Sequence, residues 1–155
     1  MYKVSWTEFE SLAIDLTKKI KSSNKNFSFI VGVSRGGLLL SRLLSSTLDL
    51  PMGVIAAKHV DGVYHVDNYI STIYDVEGDI LLVDDVMDQA SVNVISKINK
   101  NYKNINSITS ACIFYKGTEK SFKPDFFTSK VDEFITIVFP YQEKTILKNF
   151  ENSED

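Results

Sequence analysis

The sequence predicts an α/β fold with a doubly wound, mostly parallel sheet flanked by helices. Two apolar runs, Phe29–Val33 and Ile80–Val83, are continuous rather than alternating, as is typical of strands buried on both faces of a parallel sheet. Helical patterns separate such runs, and strands that alternate with helices indicate parallel crossovers. We find no linker or internal repeat, so residues 1–155 are expected to form one domain with a full core.

The first helix is predicted to begin after Ser5. Ser5 and Glu8 have the spacing of a capping box, in which side chains satisfy N–H groups of the first helical turn. Apolar residues then recur at helical spacing: Phe9, Leu12, Ala13, Leu16 and Ile20. The polar stretch 21–26 ends this helix, and a strand is predicted at Phe27–Val33.

The rest of the chain continues this alternation. Helices are predicted at Leu38–Leu48 and Ser91–Tyr102, and strands at Val54–Ala57, Ile80–Asp84 and Ile108–Tyr115. The last residues, 143–155, are polar and expected to be a loosely held tail.

A turn with the sequence Ser34-Arg35-Gly36-Gly37 joins the first of these strands to the next helix. It offers backbone N–H groups, a helix N-terminus and a cation, a combination that suits a phosphate or pyrophosphate. The alternative is a structural turn, in which the glycines are needed for positive φ and Arg35 is paired on the surface.

Two adjacent carboxylates, Asp84 and Asp85, end the second buried strand, and Asp88 follows three residues later. Ligands of open α/β sheets bind just outside the carboxyl ends of strands. Carboxylates at that position can hold Mg²⁺, bind sugar hydroxyls or accept a proton. The alternative is a solvated acidic turn that caps the helix beginning near Ser91.

Together these segments resemble the type I phosphoribosyltransferases, in particular their xanthine-guanine and hypoxanthine members. Those enzymes share a strand, an Asp-Asp pair, a loop and a helix that bind phosphoribosyl pyrophosphate. The likeness runs in order over nearly the whole chain, through Tyr2–Trp6, Val33–Leu38, Gly53–His59, the Asp84 segment, Phe114–Lys116, Lys123–Phe127 and Val138–Tyr141.

The resemblance implies transfer of ribose 5-phosphate from phosphoribosyl pyrophosphate to a purine ring nitrogen, with release of pyrophosphate. It implies that Ser34, Arg35, Gly36 and Gly37 bind the pyrophosphate. It implies that Asp84 and Asp85 bind the ribose, with Asp85 also a ligand of Mg²⁺, and that Asp88 is the catalytic base. The 5′-phosphate would be bound by the loop residues Asp88, Gln89, Ala90, Ser91 and Val92.

The resemblance also implies a purine subsite. Lys116, at a strand end, would donate to a purine 6-oxo group and select oxopurines over adenine. Without the resemblance, an ordinary surface lysine is the favoured interpretation. Phe134 lies where relatives carry a stacking Trp, and Ile135 would add backbone contacts, although a Phe in an apolar strand is usually a core residue. Tyr141 is expected to pack at the C-terminal end of the domain.

Two features depart from the family pattern. Relatives usually follow the third Asp with Thr-Gly-x-Thr, whereas Gln89-Ala90-Ser91-Val92 here lacks two hydroxyls and the glycine. Residues 59–79, which by resemblance form a small hood over the substrate, contain no Lys or Arg, and Lys58 is the nearest basic residue. Both departures favour the alternative function, a catalytically impaired nucleotide-binding or regulatory protein on the same fold.

Composition limits the other classes of function. A net charge of −3 argues against nucleic-acid binding, and an RNA regulator would need a basic face. No apolar run approaches the roughly 18 residues of a membrane span, and Glu8 and Glu10 oppose a secretory signal. The single Cys112 is expected to be buried and reduced, as in a cytoplasmic protein. The resemblance implies a homo-oligomer.

Overall fold

The computed structural model describes residues 1–118, 120–142, 148 and 151–152. In chain order its elements are β1 (Tyr2–Lys3), α1 (Trp6–Ser22), β2 (Phe29–Ser34), α2 (Leu38–Leu48), β3 (Met52–Val60), β4 (Val63–Val66), β5 (Gly78–Met87), α3 (Ser91–Asn101), β6 (Ile105–Lys116), β7 (Phe126–Val131) and β8 (Ile137–Val138). The tail predicted at 143–155 lies almost entirely outside the described residues.

The main sheet has six strands in the order β4-β3-β2-β5-β6-β7. Every neighbouring pair from β3 to β7 is parallel, and only β4 is antiparallel, to β3. A separate parallel pair joins β1 to β8. The predicted α/β class with a mostly parallel sheet is therefore confirmed.

Apolar side chains cover both faces of this sheet, as the continuous strand runs predicted. On one face α1 and α2 bury residues that include Leu16 and Leu44 against Leu81 of β5. On the other face α3 buries Val94 and Ile98 against the opposite side of the same strands. The sheet is doubly wound because helices pack on each side.

The predicted helices are confirmed with small changes at their ends. Ser5 is the N-cap of α1, since its Oγ accepts a hydrogen bond from the Glu8 N–H at 3.1 Å. The Glu8 carboxylate accepts from the Tyr2 hydroxyl. α3 ends one residue earlier than predicted, because Tyr102 has an extended backbone with φ −120° and ψ 111°.

Several strands are longer than predicted, or were not predicted at all. β5 continues through Asp84 and Asp85 to Met87, so the two carboxylates lie within the strand rather than after it. β3 and β6 are also extended at both ends, whereas β1, β4, β7 and β8 are additional. The cause at β5 is continued backbone pairing with β6, which does not depend on apolar side chains.

β7 forms one edge of the sheet, and lysines gather around it. Lys19 of α1 donates from Nζ to the carbonyl oxygen of Phe127 at 2.8 Å. Lys25 and Lys123 lie 5.9 and 5.8 Å from the ring centres of Phe126 and Phe127. The start of this edge strand is thus surrounded by ammonium groups.

The connections of β2 and β5 place a crevice between these two adjacent strands. The chain leaves β2 towards β3 on one side, whereas it leaves β5 towards β6 on the other. Such a topological switch point is where open α/β sheets bind ligands. No helix among the described residues is long and apolar enough to cross a membrane.

Candidate active site

The turn between β2 and α2 lies at this crevice. A side-chain carbon on Gly37 would come within 2.7 Å of the Val83 carbonyl oxygen, so only glycine lets the turn lie against β5. Its φ is −76°, and the alternative that the glycines provide positive φ is therefore wrong. The Gly37 N–H already donates to Val33 O at 2.9 Å. Arg35 is exposed and can reach a ligand.

Asp84 and Asp85 differ in burial and in their contacts. Asp85 is only 8% exposed, whereas Asp84 is partly exposed. The Asp85 Oδ2 accepts from the Tyr141 hydroxyl at 3.0 Å, and Oδ1 accepts from the Val86 N–H at 2.8 Å. A side-chain carbon on Gly36 would lie 2.5 Å from Asp85 Oδ1, so the turn and the carboxylate are in direct contact.

The electrostatics of this carboxylate pair favour protonation or a bound cation. Burial, followed by the charge of Asp85, raises the pKa of Asp84 well above its ordinary value of 3.8. Burial also raises the pKa of Asp85, while its hydrogen bonds, first among them that of Tyr141, oppose the rise. Ribose hydroxyls or a metal ion would stabilise the charged forms of both groups.

The loop from Asp88 to Val92 is closed by its own hydrogen bonds. The Asp88 Oδ1 accepts from the Ala90 N–H at 2.8 Å, and the Asp88 N–H donates to Ser91 Oγ at 3.3 Å. The Asp88 side chain is exposed. This is an acidic turn before α3 but not a cap of the helix, because the N-cap residue is Ala90 and it makes no side-chain capping hydrogen bond. The contact engages the Ala90 N–H, which is one of the backbone donors of the loop.

Gln89 connects this loop to the segment after β6. Its Oε1 accepts from the Phe122 N–H at 2.8 Å. The same segment is fixed by Tyr115, whose hydroxyl donates to Thr118 O at 3.2 Å. The Gln89 side chain was predicted to bind phosphate, and that stays a prediction for its NH2 group. Its amide oxygen holds the segment after β6.

The predicted purine residues lie on or after β6. Lys116 is the last residue of β6, is partly buried and pairs in register with Val131 of β7. Phe134 is 87% exposed, so the interpretation as a core residue is wrong. It lies in a turn in which Asp132 Oδ1 accepts from its N–H at 2.9 Å, and Ile135 follows at 37% exposure.

Two tyrosines at this site were not predicted from the sequence. Tyr141 contacts Asp85 directly, as described above. Burial, followed by the charges of Asp84 and Asp88, raises the pKa of Tyr64 to about 12. Tyr64 lies on β4, which forms a hairpin with β3. The turn of this hairpin is Asp61-Gly62, a pair typical of tight hairpin turns in which both central residues have positive φ.

The fold and the site define an α/β protein in which a turn of the kind that binds phosphates, Ser34–Gly37, packs against the paired carboxylates Asp84 and Asp85. Residues 5–144 match the phosphoribosyl transferase domain family. The chain therefore belongs to this family, the type I phosphoribosyltransferases, and the resemblance inferred from the sequence is confirmed. No curated protein matches the sequence significantly.

Solved structures agree with this assignment. A purine phosphoribosyltransferase from Pyrococcus horikoshii is 29% identical with a TM-score of 0.74, over 92% of this chain and 96% of that chain. The xanthine-guanine-hypoxanthine phosphoribosyltransferase from Helicobacter pylori is 28% identical with a TM-score of 0.71, over 97% and 98%. A Neisseria gonorrhoeae protein with bound ppGpp, at 16% identity, a TM-score of 0.72 and coverage of 99% and 96%, shares the fold alone.

Proposed function

We propose that this protein is a purine phosphoribosyltransferase of nucleotide salvage. It would transfer ribose 5-phosphate from phosphoribosyl pyrophosphate to a ring nitrogen of guanine, xanthine or hypoxanthine. The observation that carries the proposal is the contact of the Gly36 backbone with the Asp85 carboxylate, because it joins a pyrophosphate turn to a ribose-binding pair. The two relatives named as purine transferases support it.

Each residue has a role that follows from the charges that develop. Breaking the ribose C1–O bond gives the ribose oxocarbenium character and leaves negative charge on the pyrophosphate. Arg35, exposed beside the crevice, stabilises that leaving charge. Asp84 and Asp85 accept hydrogen bonds from the ribose hydroxyls. Asp88 releases the Ala90 N–H and accepts the proton that the purine loses.

The carboxylates fit Mg²⁺ as the cofactor. Among the residues that the structure describes, no three or more His, Cys, Asp and Glu side chains form a metal cage. Mg²⁺ does not need one, because it is usually held by one or two carboxylates together with substrate oxygens and water. Asp85 is the predicted ligand, and Asp84, a partly exposed carboxylate beside it, would be the second. When bound, the ion would neutralise charge on the departing pyrophosphate.

The purine would occupy the space beside the end of β6. Lys116 carries three donors that suit a 6-oxo group and not a 6-amino group. Phe134 supplies an exposed ring for stacking, and Ile135 supplies backbone contacts. We place the enzyme in the cytosol, since the lone Cys112 is a buried thiol, and we expect a homo-oligomer by analogy with the family.

A second candidate is a nucleotide-binding protein that does not turn substrate over. The specific observation in its favour is the closed loop, in which Asp88 and Gln89 are already engaged with Ala90 and Phe122. If Asp88 must first break its hydrogen bond with the Ala90 N–H, the free-energy cost of breaking it is added to the barrier of proton transfer.

Calorimetric titration and a turnover assay separate the two candidates. The protein is titrated with phosphoribosyl pyrophosphate and Mg²⁺ and, separately, with GMP, and guanine, xanthine, hypoxanthine and adenine are then tested for nucleotide formation. Binding with oxopurine turnover and no adenine turnover is the expected result. Binding without any turnover would establish the second candidate, and no binding of either nucleotide or pyrophosphate ligand would reject both.

A further inference from the structure

Asp85 connects three separate parts of the chain. Its carboxylate is buried within β5, one oxygen accepts from the Tyr141 hydroxyl, and both oxygens lie against the Gly36 backbone. A side-chain carbon on Gly36 would come within 2.5 and 2.6 Å of the two oxygens. Any movement of this carboxylate would therefore move the turn between β2 and α2, or be blocked by it.

The Tyr141 hydroxyl is held in place by a rigid aromatic cluster. Its ring is stacked on Phe139 at 5.2 Å and 14°, and Phe9 of α1 packs edge-on at 5.4 Å and 81°. Phe9 and Phe139 are both buried. A tyrosine hydroxyl is protonated at neutral pH, so it is the donor of the 3.0 Å hydrogen bond to Asp85. A donor fixed in this way holds the carboxylate in one orientation.

We propose that Tyr141 is a positioning residue for the binding of pyrophosphate-bearing substrate. Its hydroxyl fixes Asp85, and Asp85 in turn fixes the Gly36 backbone of the turn that receives the pyrophosphate. Without the hydroxyl, the Val86 N–H would be the remaining donor to this buried carboxylate among the hydrogen bonds of the described residues, and the carboxylate would reorient. This role rests on the proposed function, and it adds a residue that contacts no substrate.

Tyr141→Phe tests the proposal because it removes the hydroxyl and keeps the ring. Affinity for phosphoribosyl pyrophosphate with Mg²⁺ is expected to fall roughly 10- to 100-fold, the usual effect of one hydrogen bond to a charged group. Affinity for free hypoxanthine, which has neither pyrophosphate nor ribose, is expected to stay within about threefold. Trp6→Phe is the matched control, since Trp6 packs 6.2 Å from the Tyr141 ring without a hydrogen bond to Asp85 among those described.

An NMR measurement keeps this test independent of activity. The amide signal of Gly36 is expected to shift in Tyr141→Phe and to stay in place in Trp6→Phe. If the wild type binds no pyrophosphate ligand, the proposed function fails, and the Gly36 signal alone then decides the positioning role. An unmoved Gly36 signal, or equal losses of affinity for free hypoxanthine and for phosphoribosyl pyrophosphate, would overturn the proposal.

A second variant covers the case in which Tyr141→Phe does not fold. Gly36→Ala perturbs the same carboxylate through the turn instead of through Tyr141, because the added methyl carbon would overlap Asp85 Oδ1. The ¹³Cζ signal of Tyr141 is expected to shift in this variant if the two residues are connected through Asp85. An unchanged Tyr141 signal would refute the connection.

Discussion

Restoring the family's phosphate-loop sequence in two stages would separate phosphate binding from loop anchoring. The double variant Ala90→Gly, Val92→Thr adds the glycine and one hydroxyl, and Gln89 keeps its bond to the Phe122 N–H. The triple variant with Gln89→Thr adds a second hydroxyl but removes that bond. Gln89, at the first position of the loop, therefore also anchors the segment after β6.

The magnitudes follow from the contacts at each position. Threonine at Val92, a partly buried position in the first turn of α3, keeps the shape of valine and adds a donor. One hydrogen bond to a charged phosphate contributes about 1.5–3 kcal/mol, or roughly 10- to 150-fold in affinity. Ala90 has a helical φ of −66°, so glycine there adds access at a cost of up to about 1 kcal/mol of folding stability.

The triple variant should be the less stable of the two. Losing the Phe122 hydrogen bond costs about 0.5–1.5 kcal/mol, which lowers the Tm by a few degrees in a chain of this length. GMP titration by calorimetry and thermal unfolding measure the two effects separately. Asn93→Thr, which adds a hydroxyl at the next, exposed position of α3, is the control. Unchanged GMP affinity in both variants would refute the reasoning that this loop limits binding.

Three further predictions concern the charged residues of the site. Asp88→Asn is expected to lower turnover by roughly 10²- to 10⁴-fold while phosphoribosyl pyrophosphate affinity changes little, and wild-type turnover in a steady-state assay would exclude a general-base role. Arg35→Ala is expected to weaken phosphoribosyl pyrophosphate far more than free purine or ribose 5-phosphate in calorimetric titrations; equal losses would indicate a folding role for the turn. Asp84→Asn is expected to raise the Tm of the ligand-free protein at neutral pH. The reason is that folding raises the pKa of Asp84. The free energy of unfolding of the wild type therefore falls as the pH rises from 3.8 through the folded-state pKa, by about 1.4 kcal/mol per unit of pKa shift. The variant lacks this group and does not lose that stability. Tm curves that stay parallel from pH 4 to 8 would contradict this.

Patterns of apolar residues predicted the centre of the fold and failed at its margins. The buried runs of β2 and β5 have both faces covered, so their composition alone identifies them. β7 is an edge strand of mixed polarity and carries no such signal. The hairpin that contains β4 did have a sequence signal, the Asp61-Gly62 pair. These two residues form the tight hairpin turn, with φ values of 49° and 79°.

Local motifs predicted the turn and the three aspartates, but not the contacts between distant segments. Tyr141 lies 56 residues from Asp85 along the chain, and Phe122 lies 33 residues from Gln89. No spacing within a strand or helix encodes such a pair, because each depends on how loops from different strands meet. The exposure of Phe134 has a related cause, and it excludes only the alternative of a core position: the Asp132 carboxylate accepts from the Phe134 N–H in a turn before β8, and the ring is exposed.

The lysines around the edge strand β7 affect whether a strand from another molecule can pair with it. An unpaired edge offers N–H and C=O groups to strands of other molecules, and natural proteins block such edges with charge. Here Lys19 occupies the Phe127 carbonyl, and Lys25 and Lys123 stand over the neighbouring rings. A second molecule that paired with this strand would have to displace or bury these ammonium groups. Pairing of a strand from a second molecule at the start of this edge is therefore disfavoured.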